Sequence, residues 1–194
     1  MGSSASDLDA ALSTFASLAA TAVTREDGFL RDCLDAYTRQ HGYYKSWPHG
    51  IASLYEQALV YVILQELLSS RFPYEVGWEQ PYPGHPTHRA DLFINAGNEP
   101  LACIECKIWF SEDGAEIRRD LEKMASLPAG VRRCVLLLFW NETTEQIDEN
   151  VGWLRNTLGL TAVSPSPCKF RTKVLHKGEP RDAIAAIGLL EHMG

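Results

Sequence analysis

The stretch HRADLFI at residues 88–94, followed by IECKI at residues 104–108, decides the fold because it places ionisable side chains inside two apolar strands. A charged group leaves water at a high free-energy cost unless it is paired or binds a metal ion. Side chains on a strand alternate between its two faces, so Glu105 and Lys107 share one face of the second strand. Asp91 lies inside the first strand. The sequence therefore predicts that two carboxylates and one amine converge on a single point.

The predicted cluster has the chemistry of a magnesium site. Mg²⁺ is a hard cation that takes oxygen ligands and keeps several waters, which a phosphate can displace. Asp91 and Glu105 offer carboxylate oxygens, the backbone of Cys106 offers a carbonyl oxygen, and Lys107 can hold or help to deprotonate an attacking water. This arrangement, an Asp followed by Glu-x-Lys on the next strand, resembles the PD-(D/E)XK nuclease superfamily, which includes many restriction endonucleases and defence or repair nucleases.

The order of the predicted elements extends the resemblance. A long helix is predicted at residues 53–70, and Glu56 near its start stands where the superfamily often supplies a further Glu. The other predicted elements are strands at residues 74–79, 88–95 and 101–109, a helix at residues 115–126 and a strand at residues 134–140. The resemblance implies an α/β fold with a restriction endonuclease-like αβββαβ core over residues 53–140, in which helices flank a mixed central sheet.

Length and composition favour a single domain over residues 1–194. The chain has 194 residues, of which 45% are hydrophobic, so it can bury a sizeable core. Its longest apolar runs, at residues 58–64 and 134–140, are shorter than the ~20 residues that span a bilayer, so no membrane helix is expected. A secretory signal begins with basic residues, whereas no Lys or Arg precedes Arg25 in this sequence. We therefore expect a cytoplasmic protein whose five cysteines are reduced.

The regions on either side of the core are predicted to complete the fold. Residues 1–50 are predicted to form an N-terminal helical extension with two helices, at residues 7–20 and 25–40, because Thr24 followed by Asp27 resembles the cap of the second helix. This extension could form a homodimer or bind a protein partner. Residues 141–194 add further helix and strand elements, among them a closing helix at residues 181–190.

The net charge of −7 is the main observation against a nucleic-acid partner, because phosphate backbones attract basic surfaces. The basic residues are concentrated late in the chain, where KFRTKV at residues 169–174 predicts a strand with one cationic face. Such a face could follow a phosphate backbone, or it could protect an edge strand from aggregation. The candidate nucleic-acid-binding residues are Lys169, Arg171 and Lys173 on this strand, and Arg118, Arg119 and Lys123 on the helix after the Glu-x-Lys strand.

Other roles stay open for some of these features. Glu116, Asp120 and Glu122 lie near enough to the basic residues of their helix to form ordinary surface ion pairs. A loop at residues 41–50 carries three aromatic residues, which could stack on unpaired bases or could pack against the core.

Together these residues predict Mg²⁺-dependent or Mn²⁺-dependent hydrolysis of nucleic-acid phosphodiester bonds, with DNA as the expected substrate and RNA not excluded. The resemblance implies that Asp91, Glu105 and the carbonyl of Cys106 bind the metal. It also implies that Glu56 completes the acidic cluster and that Lys107 positions and activates the water. A defence, mobile-element or toxin system is the implied context.

Two alternatives to catalysis stay open. Glu105 could pair with Lys107 only to hold the sheet together, and Asp91 could pair with Arg89 for the same purpose. The chain could also be a catalytically inert relative of the same fold that binds a protein partner through its acidic surface and its N-terminal helices.

Overall fold

The structure is a computed structural model that describes residues 5–41, 50–51, 54–83, 85–109, 113–163, 167–176 and 179–192. Within these residues the chain forms four helices: α1 (Ala5–His41), α2 (Glu56–Ser69), α3 (Ala115–Met124) and α4 (Thr144–Leu158). It forms seven strands: β1 (Glu75–Tyr82), β2 (His85–Ala96), β3 (Glu99–Ile108), β4 (Arg132–Asn141), β5 (Leu160–Ala162), β6 (Cys168–His176) and β7 (Glu179–His192). Most of the aromatic loop at residues 41–50 lies outside the described residues.

The strands form one mixed sheet in the order β1-β2-β3-β4-β7-β5, and β6 pairs with β7 on the same side as β5. β3 and β4 run parallel, whereas the other neighbouring strands run antiparallel. The prediction of an α/β fold with a mixed central sheet is confirmed, as is the αβββαβ order from α2 to β4. The assignment to a restriction endonuclease-like fold stays a prediction.

Helices cover both faces of the sheet. On one face, α1 and α2 pack against strand residues that include Ile104 and Leu136. On the other face, α3 and α4 pack against strand residues that include Val135 and Leu137. β4 is therefore buried on both faces, which explains why its sequence is a continuous apolar run. No helix in the described part of the chain is long and apolar enough to cross a membrane.

The α1 helix is a single helix of 37 residues, so the prediction of two helices divided near Thr24 is wrong. The physical reason is that Asp27 does not cap a helix. Its carboxylate is fully buried and accepts hydrogen bonds from the Ile51 N–H at 3.0 Å and the Thr172 hydroxyl at 2.5 Å. Arg31, one turn later on α1, donates to the same carboxylate at 2.9 Å. These contacts attach the middle of α1 to β6.

Asp27→Ala should lower the free energy of unfolding by about 3 kcal/mol, because it leaves the buried N–H of Ile51 and the hydroxyl of Thr172 without their acceptor. Asp32→Ala removes an exposed carboxylate from the same helix and is the matched control, with an expected change below about 0.5 kcal/mol. Urea unfolding of both variants beside the wild-type protein measures the difference. Equal stability of the two variants would contradict the role of Asp27.

The β7 strand stands where the sequence predicted a closing helix at residues 181–190, and that prediction is wrong. β7 pairs with β4 on one side and with β5 and β6 on the other. Its side chains point alternately to the two faces of the sheet and are buried on both, with Ala185 and Ile187 facing the layer of α1, and Ala186 and Leu190 facing the layer of α4. A run that is apolar on both faces has no polar side to mark its period, so its neighbours decide the conformation.

Two edge strands carry the residues that protect an exposed edge. The cationic strand predicted at residues 169–174 is confirmed as β6, which lies at the edge of the sheet. Pro81, which lies beyond the strand predicted at residues 74–79, is inside β1 beside a register shift between Pro81 and Tyr82. Proline has no N–H to donate, and it is tolerated there because one side of an edge strand has no neighbouring strand that needs a donor.

Candidate functional site

Asp91 and Glu105 meet where β2 and β3 face each other. The antiparallel register pairs Leu92 with Ile104, so the next pair in that register is Asp91 opposite Glu105. Opposite residues of antiparallel strands lie on the same face, and these two carboxyl groups are in hydrogen-bonding contact. The structure therefore brings together the two carboxyl groups on which the predicted site depends.

Beyond this pair, side chains take the place of a strand partner along the edge of β3. Asp91 Oδ2 accepts a hydrogen bond from the N–H of Cys106 at 2.7 Å, and Glu56 Oε1 accepts one from the N–H of Ile108 at 3.3 Å. The N–H and C=O groups of one strand residue point to the same side, so the carbonyl of Cys106 also faces this edge. Oxygen atoms from Asp91, Glu56 and Cys106 thus share one edge.

Glu56 reaches this edge because it is the first residue of α2. The preceding residue, Tyr55, makes no side-chain capping hydrogen bond. A carboxylate in the first turn is favourable, since the unpaired N–H groups give the helix N-terminus a partial positive charge. The start of α2 therefore suits an acidic residue, and packing of α2 on the sheet carries it to the end of β3.

Lys107 lies between two carboxylates that come from opposite sides of the sheet. Its Nζ is 3.0 Å from Glu56 Oε2 at the start of α2, and 3.3 Å from Asp120 Oδ2 on α3. Asp120 is only 3% exposed and also accepts a hydrogen bond from Lys123 Nζ at 2.6 Å. The four groups form a line of alternating charge that runs from the edge of β3 to α3.

These contacts differ from the ion pairs that the sequence left open as alternatives. Lys107 binds two other carboxylates instead of Glu105. Arg89 donates from Nη1 to the backbone carbonyl of Glu79 at 2.7 Å instead of binding Asp91. The contacts of both strand carboxyl groups therefore differ from a simple pairing with the nearest basic residue in the sequence.

Tyr82 at the end of β1 orients Glu105. Its hydroxyl donates a hydrogen bond to Glu105 Oε1, and the Cys103 thiol donates to the Tyr82 oxygen at 3.6 Å. The ring packs edge-on against Phe93, with 6.1 Å between the ring centroids. Because a packed phenol holds one of its oxygens, the Glu105 carboxyl group cannot rotate freely.

Burial is the main influence on the carboxyl groups. It raises the pKa of Glu105 to about 8, together with the charges of Asp91 and Asp120 and against the lowering effect of a phenol hydrogen bond. The pKa of Asp91 is also raised, mainly by burial. Burial lowers the pKa of Lys107, but its two carboxylate partners outweigh burial and raise that pKa above its usual range. Burial therefore favours the protonated form of Glu105 near the charged ammonium group of Lys107.

The oxygen donors fit a hard divalent cation. Within the described ranges, no three His, Cys, Asp or Glu side chains are placed so that they could hold a metal ion. Carboxylate and carbonyl oxygens with additional waters are nevertheless the ligands that Mg²⁺ takes. Two adjacent carboxylates repel each other once both are ionised, and a cation between them relieves the repulsion. The residues that would hold Mg²⁺ or Mn²⁺ directly are Asp91, Glu105 and, through its carbonyl, Cys106. Glu56, which is bound to Lys107, would join them through a water or after turning toward the cation.

The six candidate nucleic-acid-binding residues divide into exposed and paired side chains. The exposed ones are Arg118, Arg119 and Arg171. The others form ion pairs at 2.6, 2.5 and 3.1 Å, namely Lys123 with Asp120, Lys169 with Asp148 and Lys173 with Asp35. The cationic face of β6 is therefore partly neutralised by acidic residues of α4 and α1.

Sequence reasoning missed two residues of this site, Tyr82 and Asp120. Asp120 carried a signal, because it shares a helix face with Ile117 and Met124, which are fully buried. An acidic residue on the apolar face of a helix indicates a buried charge rather than the surface pair that we expected. Tyr82 carried no such signal, since its contact with Glu105 depends on how far β1 continues past its proline.

The geometry of the site is the observation from which a function can be argued. The resemblance to the PD-(D/E)XK nucleases stays a prediction drawn from the residues themselves. Comparisons of the chain with protein-family models, curated proteins and solved structures find no match.

Proposed function

We propose that this protein is a metal-dependent nuclease that hydrolyses nucleic-acid phosphodiester bonds, with DNA as its expected substrate. The observation that carries the proposal is the contact between the Asp91 and Glu105 carboxyl groups on neighbouring strands, with Lys107 two residues further along β3. A buried pair of carboxyl groups is unfavourable in a purely structural role, because like charges in a low dielectric repel. Its retention inside an apolar sheet supports a role in binding a cation.

The proposed cation is Mg²⁺ or Mn²⁺, held by Asp91, Glu105 and the carbonyl of Cys106, with Glu56 completing the acidic cluster. When bound, such a cation supplies charge stabilisation at the phosphate and lowers the pKa of coordinated water. Tyr82 keeps one oxygen of Glu105 fixed, which supports a constant arrangement of the oxygen donors.

Lys107 has the role of positioning the attacking water and balancing negative charge at the phosphate. Its raised pKa keeps the amine protonated near neutral pH, so it donates hydrogen bonds and does not accept a proton. Its contacts with Glu56 and Asp120 limit the directions in which the ammonium group can point. We therefore assign water activation to the cation site and water positioning to Lys107.

Exposed basic side chains support a nucleic-acid partner despite the net charge of −7. Arg118 and Arg119 lie on α3, the helix that also carries the partner of Lys107. The β6–β7 hairpin continues past the last β4–β7 pair, Asn141 with Ile184, at the end of the sheet that holds the site. Arg171 is exposed on this hairpin. A phosphate backbone that passed over this end of the sheet would meet these cations.

A second candidate function is a catalytically inert module that binds a protein partner, for example through α1 or as a homodimer. The observation that favours it is the neutralisation of Lys169 and Lys173 by Asp148 and Asp35, which leaves β6 less cationic than its sequence implies. Such a module would need no divalent cation. Cation dependence therefore separates the two candidates.

The protein should cut supercoiled plasmid DNA in the presence of Mg²⁺ or Mn²⁺ and should leave it intact in EDTA. Parallel incubations with single-stranded DNA and with RNA identify the class of substrate, and gel electrophoresis measures the products. Absence of cutting in every incubation, together with absence of Mg²⁺ binding in calorimetry, would refute the nuclease and favour the binding module.

A further inference from the structure

Asp120 is a buried carboxylate, and packing alone does not explain why an acidic residue lies at this position. It lies on the inner face of α3 between Ile117 and Met124, and only 3% of it is exposed. Its Oδ1 binds Lys123, whereas its Oδ2 has no hydrogen-bond partner among the described residues and lies 3.3 Å from Lys107 Nζ. A buried acid of this kind is expensive unless a charged partner compensates it. The partner that lies deeper in the protein is Lys107.

Lys107 has two carboxylate partners whose surroundings differ. The Glu56 side chain is 33% exposed, at the mouth of the site, and also accepts the N–H of Ile108. The Asp120 side chain is 4% exposed and is fixed by the packing of α3. Glu56 is one of the residues that would turn toward a cation, and such a turn would weaken its contact with Lys107. The contact with Asp120 does not depend on that movement.

We propose that Asp120 is a positioning residue, which holds the Lys107 ammonium group beside the Asp91–Glu105 pair whether or not Glu56 is turned toward a cation. The inference rests on the proposed function and adds a residue to it. Asp120 acts through Lys107 and has no contact of its own with the substrate. Its second partner, Lys123, binds the other carboxylate oxygen, so that each oxygen of this buried side chain faces an ammonium group.

Asp120→Asn tests this role because it removes the charge and keeps the shape of the side chain. A small displacement of a catalytic group raises the activation free energy. We therefore expect kcat for metal-dependent cleavage to fall about tenfold to a hundredfold while KM stays unchanged. Glu122→Gln, which removes an exposed carboxylate from the same helix, is the matched control and should keep the wild-type kcat. An ion pair that only attached α3 to the sheet would alter stability and leave kcat unchanged.

A double variant separates action through Lys107 from a general effect. Lys107→Met alone removes the group that Asp120 holds, so adding Asp120→Asn to it should cause no further loss of kcat. Losses that multiply in the double variant would overturn the proposal, as would a wild-type kcat in Asp120→Asn. A wild-type protein that cuts no substrate would refute the proposed function itself, which is a different result from an unaffected Asp120→Asn.

A second measurement leaves Asp120 unchanged, so its result does not depend on whether Asp120→Asn folds. NMR of lysine ammonium groups should detect Lys107 as a slowly exchanging signal, assigned by its absence in Lys107→Met. In Glu56→Ala the signal should persist, because Asp120 still holds the ammonium group. Disappearance of the signal in Glu56→Ala would overturn the proposal, since Glu56 would then be the residue that holds Lys107.

Discussion

Asp91→Asn should lower the rate of metal-dependent cleavage by on the order of a thousandfold, because a bound cation contributes several kcal/mol to stabilising the transition state. Asn has the size of Asp, and its amide oxygen can accept the hydrogen bond that Asp91 Oδ2 accepts from Cys106. The change therefore removes charge and keeps the backbone contact. Single-turnover cleavage measures the rate, and calorimetric titration with Mg²⁺ should show that cation affinity falls in parallel.

The matched control for this prediction is Glu99→Gln. Glu99 is exposed at the start of β3, the strand that carries Glu105, so the variant loses the same unit of charge far from the site. It should cut and bind cations as the wild-type protein does. Cleavage by Asp91→Asn at the rate of this control would contradict the assignment of Asp91 to the cation. Thermal unfolding of both variants shows whether a loss of activity reflects a loss of folded protein.

The core elements could be predicted because local pattern and tertiary environment agree there. β3 and β4 are buried on both faces, and their continuous apolar runs indicate strands without further information. Charged residues inside such a run are informative for the same reason, since burial of charge requires compensation. The alternation of side chains was enough to place Glu105 and Lys107 on one face and to suggest Asp91 as their neighbour.

The two ends of the chain could not be predicted in the same way, because remote contacts decide their conformation. Asp27 has the local sequence of a helix cap, but two of its three hydrogen-bond donors come from the remote residues 51 and 172. The residues of β7 suit a helix as well as a strand, and three neighbouring strands fix the outcome. Local propensity is weak against such contacts.

The supporting residues of the site were missed for a related reason. The acid nearest to Lys107 along the chain is Glu105. In the structure Lys107 instead forms ion pairs with Glu56 of α2 and Asp120 of α3. Which helix residue lies over which strand residue depends on helix packing, and no short-range pattern records it. Net charge likewise does not show where exposed positive charge lies, because ion pairs neutralise some basic residues and leave others, such as Arg118, exposed.

Without divalent cations, the free energy of unfolding should fall as the pH rises from about 5 to about 8. Glu105 ionises near its ordinary value of 4.5 in the unfolded chain, whereas in the folded protein its pKa is raised to about 8 by burial. Between these values the folded protein holds a proton that the unfolded chain has lost, so stability present at low pH is lost as the pH rises. Asp91, whose pKa is also raised, acts in the same direction.

Glu105→Gln should therefore be more stable than the wild-type protein above this range, by up to about 5 kcal/mol. Gln cannot ionise, its oxygen can accept the hydrogen bond from Tyr82, and its amide can donate to Asp91. Urea unfolding in EDTA at several pH values measures the difference, with Glu99→Gln as the control for the loss of one charge. Equal dependence on pH in all three proteins would show that Glu105 is ionised throughout.

Added Mg²⁺ should reduce this difference in stability. Cations bind the ionised carboxylates, so millimolar Mg²⁺ at a pH above about 8 should raise the Tm of the wild-type protein and leave that of Glu105→Gln unchanged. A structural role for the buried carboxyl pair leads to the opposite expectation, since loss of one member would then destabilise the protein at every pH. For a cation site, the fold without metal is least stable where the carboxylates are most ready to bind it.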